Sequence, residues 1–203
     1  TIMQSNGGLS PVTLTIDKPI FSIESGPAAG VVGAFHLGNH IGSENLMTFD
    51  MGGTTAKASI IENGEMLLAP EYEVGGGMSV GHRLLKGSGY ILRVPSIDIA
   101  EVSSGGGSIA WIDKAEALQI GPQSSGANPG PACYDKGGNN PTVTDANVLL
   151  GYLNPENLLG GKFPINSSKA KKIISDNISK PLGIPDIESA WGIHILVNSN
   201  MAR

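Results

Sequence analysis

Leu46-Met47-Thr48-Phe49-Asp50 reads as a buried strand that ends in an acid, and Met51-Gly52-Gly53-Thr54-Thr55 follows it directly. An apolar run closed by Gly-Gly has the composition of a strand entering a tight turn. Thr54 to Ile61 reads as a second strand, Asn63-Gly64 as a hairpin turn, and Glu65 to Ala69 as a third, returning strand. The acid is therefore followed by a turn and a strand, not by a helix. That order separates the nucleotide-binding architectures. A Walker loop needs G-x-x-x-x-G-K-[ST] leading into a helix, and neither Gly-Lys-Ser nor Gly-Lys-Thr occurs. A dinucleotide fingerprint needs G-x-G-x-x-G between strand and helix, and the nearest match, Gly87-Ser88-Gly89, lacks the third glycine. A strand–turn–strand loop in an α/β protein is what remains.

Such a loop has a chemical use. Gly52 and Gly53 let backbone N–H groups approach a phosphate with no Cβ in the way, the Thr54 and Thr55 hydroxyls add donors, and Asp50 can hold a magnesium-bound water. A plain hairpin turn uses the same Gly-Gly, so residue type alone leaves both readings open.

Outward from this hairpin, the chain falls into three sections. In residues 1–72, Asn6-Gly7-Gly8 is a turn and Val12-Thr13-Leu14-Thr15-Ile16 alternates as a strand does. Ser25 or Gly26 can cap a helix whose first residue is Pro27, because a proline there lacks only an N–H that has no partner anyway. Gly26, Gly30 and Gly33 leave one face of that helix nearly free of side chains, able to approach a sheet or a ligand closely. Residues 73–159 are dense in loops: more than half of the 29 glycines lie between residues 75 and 161. Their regular parts are a strand over Ser108–Asp113 and a capped helix from Thr144-Asp145 to about Tyr152. Residues 160–203 are helical, with Ala170, Ile173, Ile174 and Ile178 on the inner face of a helix over Ser167–Lys180, and Asp186 capping a helix from Ile187 to the last residue. The chain opens on Thr1 and its last helix carries no stop signal, so a piece of a longer polypeptide is expected.

Composition excludes several classes. Glycine is 29 of 203 residues, about twice the usual share of roughly 7%, yet no G-X-Y period appears, which sets aside collagen. A net charge of −5 offers no basic footprint for nucleic acid. The lysines at 169, 171, 172 and 180 read as the solvated face of a helix. No apolar run is long enough to span a membrane, and the single cysteine, Cys133, rules out an internal disulfide framework and fits a reducing, cytoplasmic compartment. Cys133 is either a buried turn residue or a nucleophile served by His36, His40, His82 or His194. His36 and His40 share a helix face without a catalytic glutamate between them. His82, in a loop, is a substrate-side candidate, as is Asp98, at the end of a strand ahead of Gly105-Gly106-Gly107.

Six segments, in order, resemble the A-type subunit of the hydantoinase/oxoprolinase family: Met3–Gly8, Ser25–Gly30, Asp50–Lys57, Gly105–Ala110, Pro129–Tyr134 and Pro141–Asn147. They cover nearly the whole chain. The resemblance implies a partial actin-like ATPase fold, built from ribonuclease-H-like halves, with the glycine-rich region as an insertion and residues 160–203 rejoining the ATPase half. In that fold each half holds ATP phosphates with a strand–turn–strand loop, and Asp50–Thr55 looks like the second of the two. The family resemblance further implies ATP and Mg²⁺ as cofactors, with Asp50 as the catalytic and metal-organising acid and Gly52, Gly53, Thr54 and Thr55 cradling phosphate.

Family members use ATP to phosphorylate an unreactive carbonyl. The implied activity is an ATP-dependent hydrolase that opens hydantoin-like or 5-oxoproline-like rings, with a small-molecule substrate and a B-type subunit, separate or fused, as partner. The alternatives are a subunit of an ATP-dependent ketone carboxylase and a non-catalytic interaction module on the same fold. The family's first acid–glycine–glycine–threonine loop and its later adenosine segment have no counterpart here, so residues 1–203 alone are expected to hold half a site and to turn ATP over weakly or not at all. Ser103-Ser104, where the family more often has glycine-alanine, is a minor departure.

Overall fold

The structure, a computed structural model, describes residues 1–74, 89–102 and 104–202. It is a mixed α/β chain that divides into two compact units, one formed by Thr1–Asp50 and Lys57–Val102, the other by Met51–Ala56 and Ser103–Arg203.

The first unit begins with two short strands, β1 (Ile2–Met3) and β2 (Leu9–Ser10), paired antiparallel across the Asn6-Gly7 turn. Val12–Asp17 then forms a short helix, α1, where alternation predicted a strand. Among the described residues no strand pairs with it, and the backbone is satisfied locally instead. The Pro11 carbonyl accepts from the Thr15 N–H at 3.3 Å, and the Leu14 carbonyl from the Lys18 N–H at 2.9 Å. Alternation predicts a strand only where one face is buried, and Val12, Leu14 and Ile16 are all exposed. The next helix, α2, spans Ser25–Ile41 and starts two residues ahead of the expected Pro27, with Gly42 closing it in the left-handed conformation.

β3 (Leu46–Met51) and β4 (Ala56–Glu62) are neighbours joined by the residue 52–55 turn, and β4 turns through Asn63 and Gly64, both at positive φ, into β5 (Glu65–Met66). The expected third strand splits after β5. Its second part, β6 (Leu68–Ala69), pairs instead with β9 (Ser96–Ile97). Between them β7 (Tyr72–Val74) pairs with β8 (Tyr90–Leu92), and β10 (Ala100–Val102) flanks β4 on the side away from β3. The core of this unit joins Ala28 and Val31 of α2 to Ile61 and Ile97.

In the second unit, β11 (Ser108–Ile112) and β12 (Leu118–Ser124) form an antiparallel ribbon. Against it pack α3 (Val143–Leu149), a π-helical turn at Ser175–Ser179 and α6 (Asp186–Met201), while α4 (Ser167–Ile174) packs on α3 and the single turn α5 (Lys180–Leu182) on the π turn. The helix expected over 167–180 is thus α only to Ile174. The π turn brings Ile178 as well as Ala170 and Ile174 to full burial, while Ile173 is half-buried. One apolar cluster gathers Ala110, Val143, Ala146, Ile174, Ile178, Ala190, Ile193 and Val197, and a second Cys133, Val148, Ile165 and Ala170. Among the described residues no helix is long and apolar enough to cross a membrane.

Candidate phosphate-binding turn

The turn at Gly52–Thr55 is held from two directions within the second unit. Inside it, the Gly52 N–H donates to the Thr55 carbonyl at 2.8 Å. From outside, the N–H groups of Gly106 and Gly107 donate to the carbonyls of Gly52 and Gly53 at 2.9 and 2.6 Å. Both carbonyls are thereby occupied, whereas the N–H groups of Gly53 and Thr54 have no hydrogen-bond partner among the described residues. Successive free N–H groups on an exposed turn present partial positive charge to an anion.

Gly53 is the informative residue. Its φ is not positive, and a Cβ placed on it would meet nothing within 4 Å. Neither backbone conformation nor packing requires glycine there, and the residue stands open on its exposed side. At Gly105, by contrast, a Cβ would lie 2.7 Å from Thr54 backbone atoms, and at Gly107 2.8 Å from the Gly53 carbonyl. Two glycines of this triple thus let the loop press on the turn.

Among the other candidates, Asp50 is the penultimate residue of β3, in the first unit, with an exposed side chain, and lines a cavity of about 330 Å³ together with Gly30, Thr48, Lys57 and Ser59. The small face of α2 opens outward, since a Cβ on Gly26, Gly30 or Gly33 would touch nothing within 4 Å. That corrects the expectation of close packing at these glycines. Asp98 is exposed; its carbonyl accepts from the Ser59 hydroxyl at 2.8 Å and its N–H donates to the Leu67 carbonyl. His82 lies outside the described residues. His36 and His40 are exposed on α2, and His194 packs against Trp191 and Tyr152, with Asn198 Nδ2 at 2.9 Å from its Nε2.

Cys133 is fully buried, and burial followed by the charge of Asp145 pushes its thiol well above the ordinary range. That favours the structural reading over the nucleophile. No group of three His, Cys, Asp or Glu residues able to hold a metal occurs among the described residues. Mg²⁺ needs no such group, because it is commonly held by one or two carboxylates with phosphate oxygens and water, and the lone exposed Asp50 is compatible with that mode.

Sequence reading missed a second cluster, in the first unit. Lys57 Nζ donates to Glu24 Oε2 at 2.6 Å and lies 3.8 Å from Glu101, while the Tyr72 hydroxyl donates to Glu24 Oε1 at 2.7 Å. Burial, then the bond to Glu24, raises the Tyr72 phenol above its ordinary value. These four residues are far apart in sequence and share no spacing, so no local pattern could have found them.

The hydantoinase/oxoprolinase family model matches residues 1–203. An uncharacterised protein of Methanocaldococcus jannaschii is 48% identical over 100% of this chain and 29% of its own length. Caprolactamase subunit alpha of Pseudomonas jessenii is 40% identical over 98% of this chain and 27% of its own. The solved ATP-dependent caprolactamase from that organism aligns with a TM-score of 0.66 over 90% of this chain. A nucleotide-free structure of acetone carboxylase, from work on ATP-dependent acetone carboxylation, aligns with a TM-score of 0.74 and 30% identity over 89% of this chain and 24% of that one. The chain thus spans less than a third of the length of each of these relatives.

Proposed function

The chain belongs to the hydantoinase/oxoprolinase family, and from that membership we propose that it is a segment of an ATP-dependent enzyme that opens a cyclic amide by phosphorylating its carbonyl oxygen. The observation that carries this reading is the turn at Gly52–Thr55. Its Gly52 and Gly53 carbonyls are occupied, its Gly53 and Thr54 N–H groups have no partner among the described residues, and Gly53 is glycine without a steric demand for it. Those N–H groups and the threonine hydroxyls would receive phosphate oxygens, and Asp50 would hold Mg²⁺ directly or through water. ATP supplies the phosphoryl group that turns an inert carbonyl oxygen into a leaving group; the protein contributes position and charge neutralisation.

The fold we assign to the complete enzyme is of the actin-like ATPase kind, with the first of its two phosphate loops outside this chain. A B-type subunit, separate or fused, is its partner. The name of the caprolactamase relative, an enzyme of a cyclic amide, favours ring opening. The TM-score of 0.74 to acetone carboxylase favours the second reading, in which the same phosphorylation prepares a ketone for carboxylation.

The test is Mg·ATP binding to the full-length protein and to its Asp50→Ala variant, by calorimetry. Magnesium-dependent binding that is lost in the variant is expected. Binding that is absent, or unchanged by the substitution, would overturn the reading in favour of an interaction module on the same fold.

A further inference from the structure

We propose that Thr144 is a positioning residue for the phosphate turn, acting through Gly106 from the start of α3. The proposal rests on the phosphate reading of residues 52–55 given above and names the device that prepares them.

The relay runs entirely inside the second unit. Thr142 and Asp145 form a reciprocal cap: the Asp145 N–H donates to Thr142 Oγ1, and Asp145 Oδ2 accepts from the Thr142 N–H at 2.9 Å. Asp145 is fully buried and also accepts from the Cys133 N–H at 2.7 Å, so the first turn of α3 is fixed on several sides. Thr144, one of its early residues, has an N–H with no partner inside the helix. That N–H and the Thr144 hydroxyl both donate to the Gly106 carbonyl, each at 2.8 Å. The Gly106 and Gly107 N–H groups then donate to the Gly52 and Gly53 carbonyls.

Two donors from one residue thus fix the orientation of the Gly106–Gly107 peptide, whose far side orients the turn. Ser125 adds a second hold, its N–H donating to the Gly107 carbonyl at 2.8 Å. With the turn's carbonyls drawn inward, the free N–H groups of Gly53 and Thr54 are set before any ligand arrives. Preorganised donors of this kind need no rearrangement when charge appears.

The hydroxyl is the separable part. Thr144→Val in the full-length protein keeps the shape and the backbone bond but removes the O–H donor, and Thr144→Ser keeps the donor. We expect Kd for Mg·ATP to rise about tenfold in T144V, consistent with one lost hydrogen bond of roughly ordinary strength. T144S should restore most of the affinity, with thermal midpoints of both variants close to that of the parent. Should T144V melt below the assay temperature, T144A is read in the same way.

T144V binding Mg·ATP like the parent, while Asp50→Ala has lost it, would overturn the positioning role and leave the phosphate reading standing. Equal impairment of T144V and T144S would overturn it too, because the hydroxyl would then not be the agent. If neither Asp50→Ala nor T144V changes Mg·ATP binding, the phosphate reading itself falls and takes this inference with it.

Discussion

Cys133 shows how environment overrides residue type. Its neighbours Ala132 and Pro131 are buried with it, and Asp145 lies against the same backbone segment. Burial comes first and the nearby carboxylate second in holding the thiol above its ordinary value of 9.0. The native chain then keeps a proton that the unfolded chain gives up as pH rises past about 9. The contribution to stability is therefore present below that pH and lost above it. We expect Cys133 to resist a thiol reagent at pH 8 in the native protein and to react fully once urea unfolds it. Rapid native labelling would show that the thiol is accessible. The lone cysteine was legible as a turn or buried residue from its Gly-Pro-Ala-Cys-Tyr setting; the cause of its inertness, an aspartate twelve positions later, was not.

At the scale of elements, the helix starting near residue 144 was readable because Thr-x-x-Asp caps locally, although the cap is Thr142 and the helix ends at Leu149 rather than near Tyr152. The further service of Asp145 is tertiary. Its carboxylate also receives the N–H groups of Ala132 and Cys133, which ties a loop to the helix start. In Asp145→Asn an amide NH₂ replaces one acceptor and confronts donors in a buried site. The expected cost is about 2–3 kcal/mol, read as a lower urea midpoint with little change in slope. A loss below about 0.5 kcal/mol would mean that the loop is held by other contacts. The strand expected over 12–16 failed for the opposite reason. Alternation carries information only when one face has something to pack on, and here it has not.

Over the whole molecule, each unit has its own apolar core, yet large apolar side chains remain outside both. On α6, Ile187, Trp191 and Ile195 form an exposed stripe at every fourth residue, and on β3 Met47 and Phe49 are more than half exposed. Exposed apolar surface of this kind promotes association. We expect the 203-residue chain by itself to self-associate with rising concentration in sedimentation velocity, and Trp191→Lys with Ile195→Glu to reduce it. A strictly monomeric chain at high concentration would contradict this.

The order strand, acid, turn, strand was determined by the sequence itself, because Gly-Gly and Asn-Gly act through the sterics of a few adjacent residues. So was the family, through motifs spread over the whole length. Which groups of the Gly52–Thr55 turn are occupied and which are free was settled only by tertiary structure. The donors that claim its carbonyls come from Gly106 and Gly107, held in turn by Thr144, and hydrogen bonds between segments so distant leave no spacing in the chain to read.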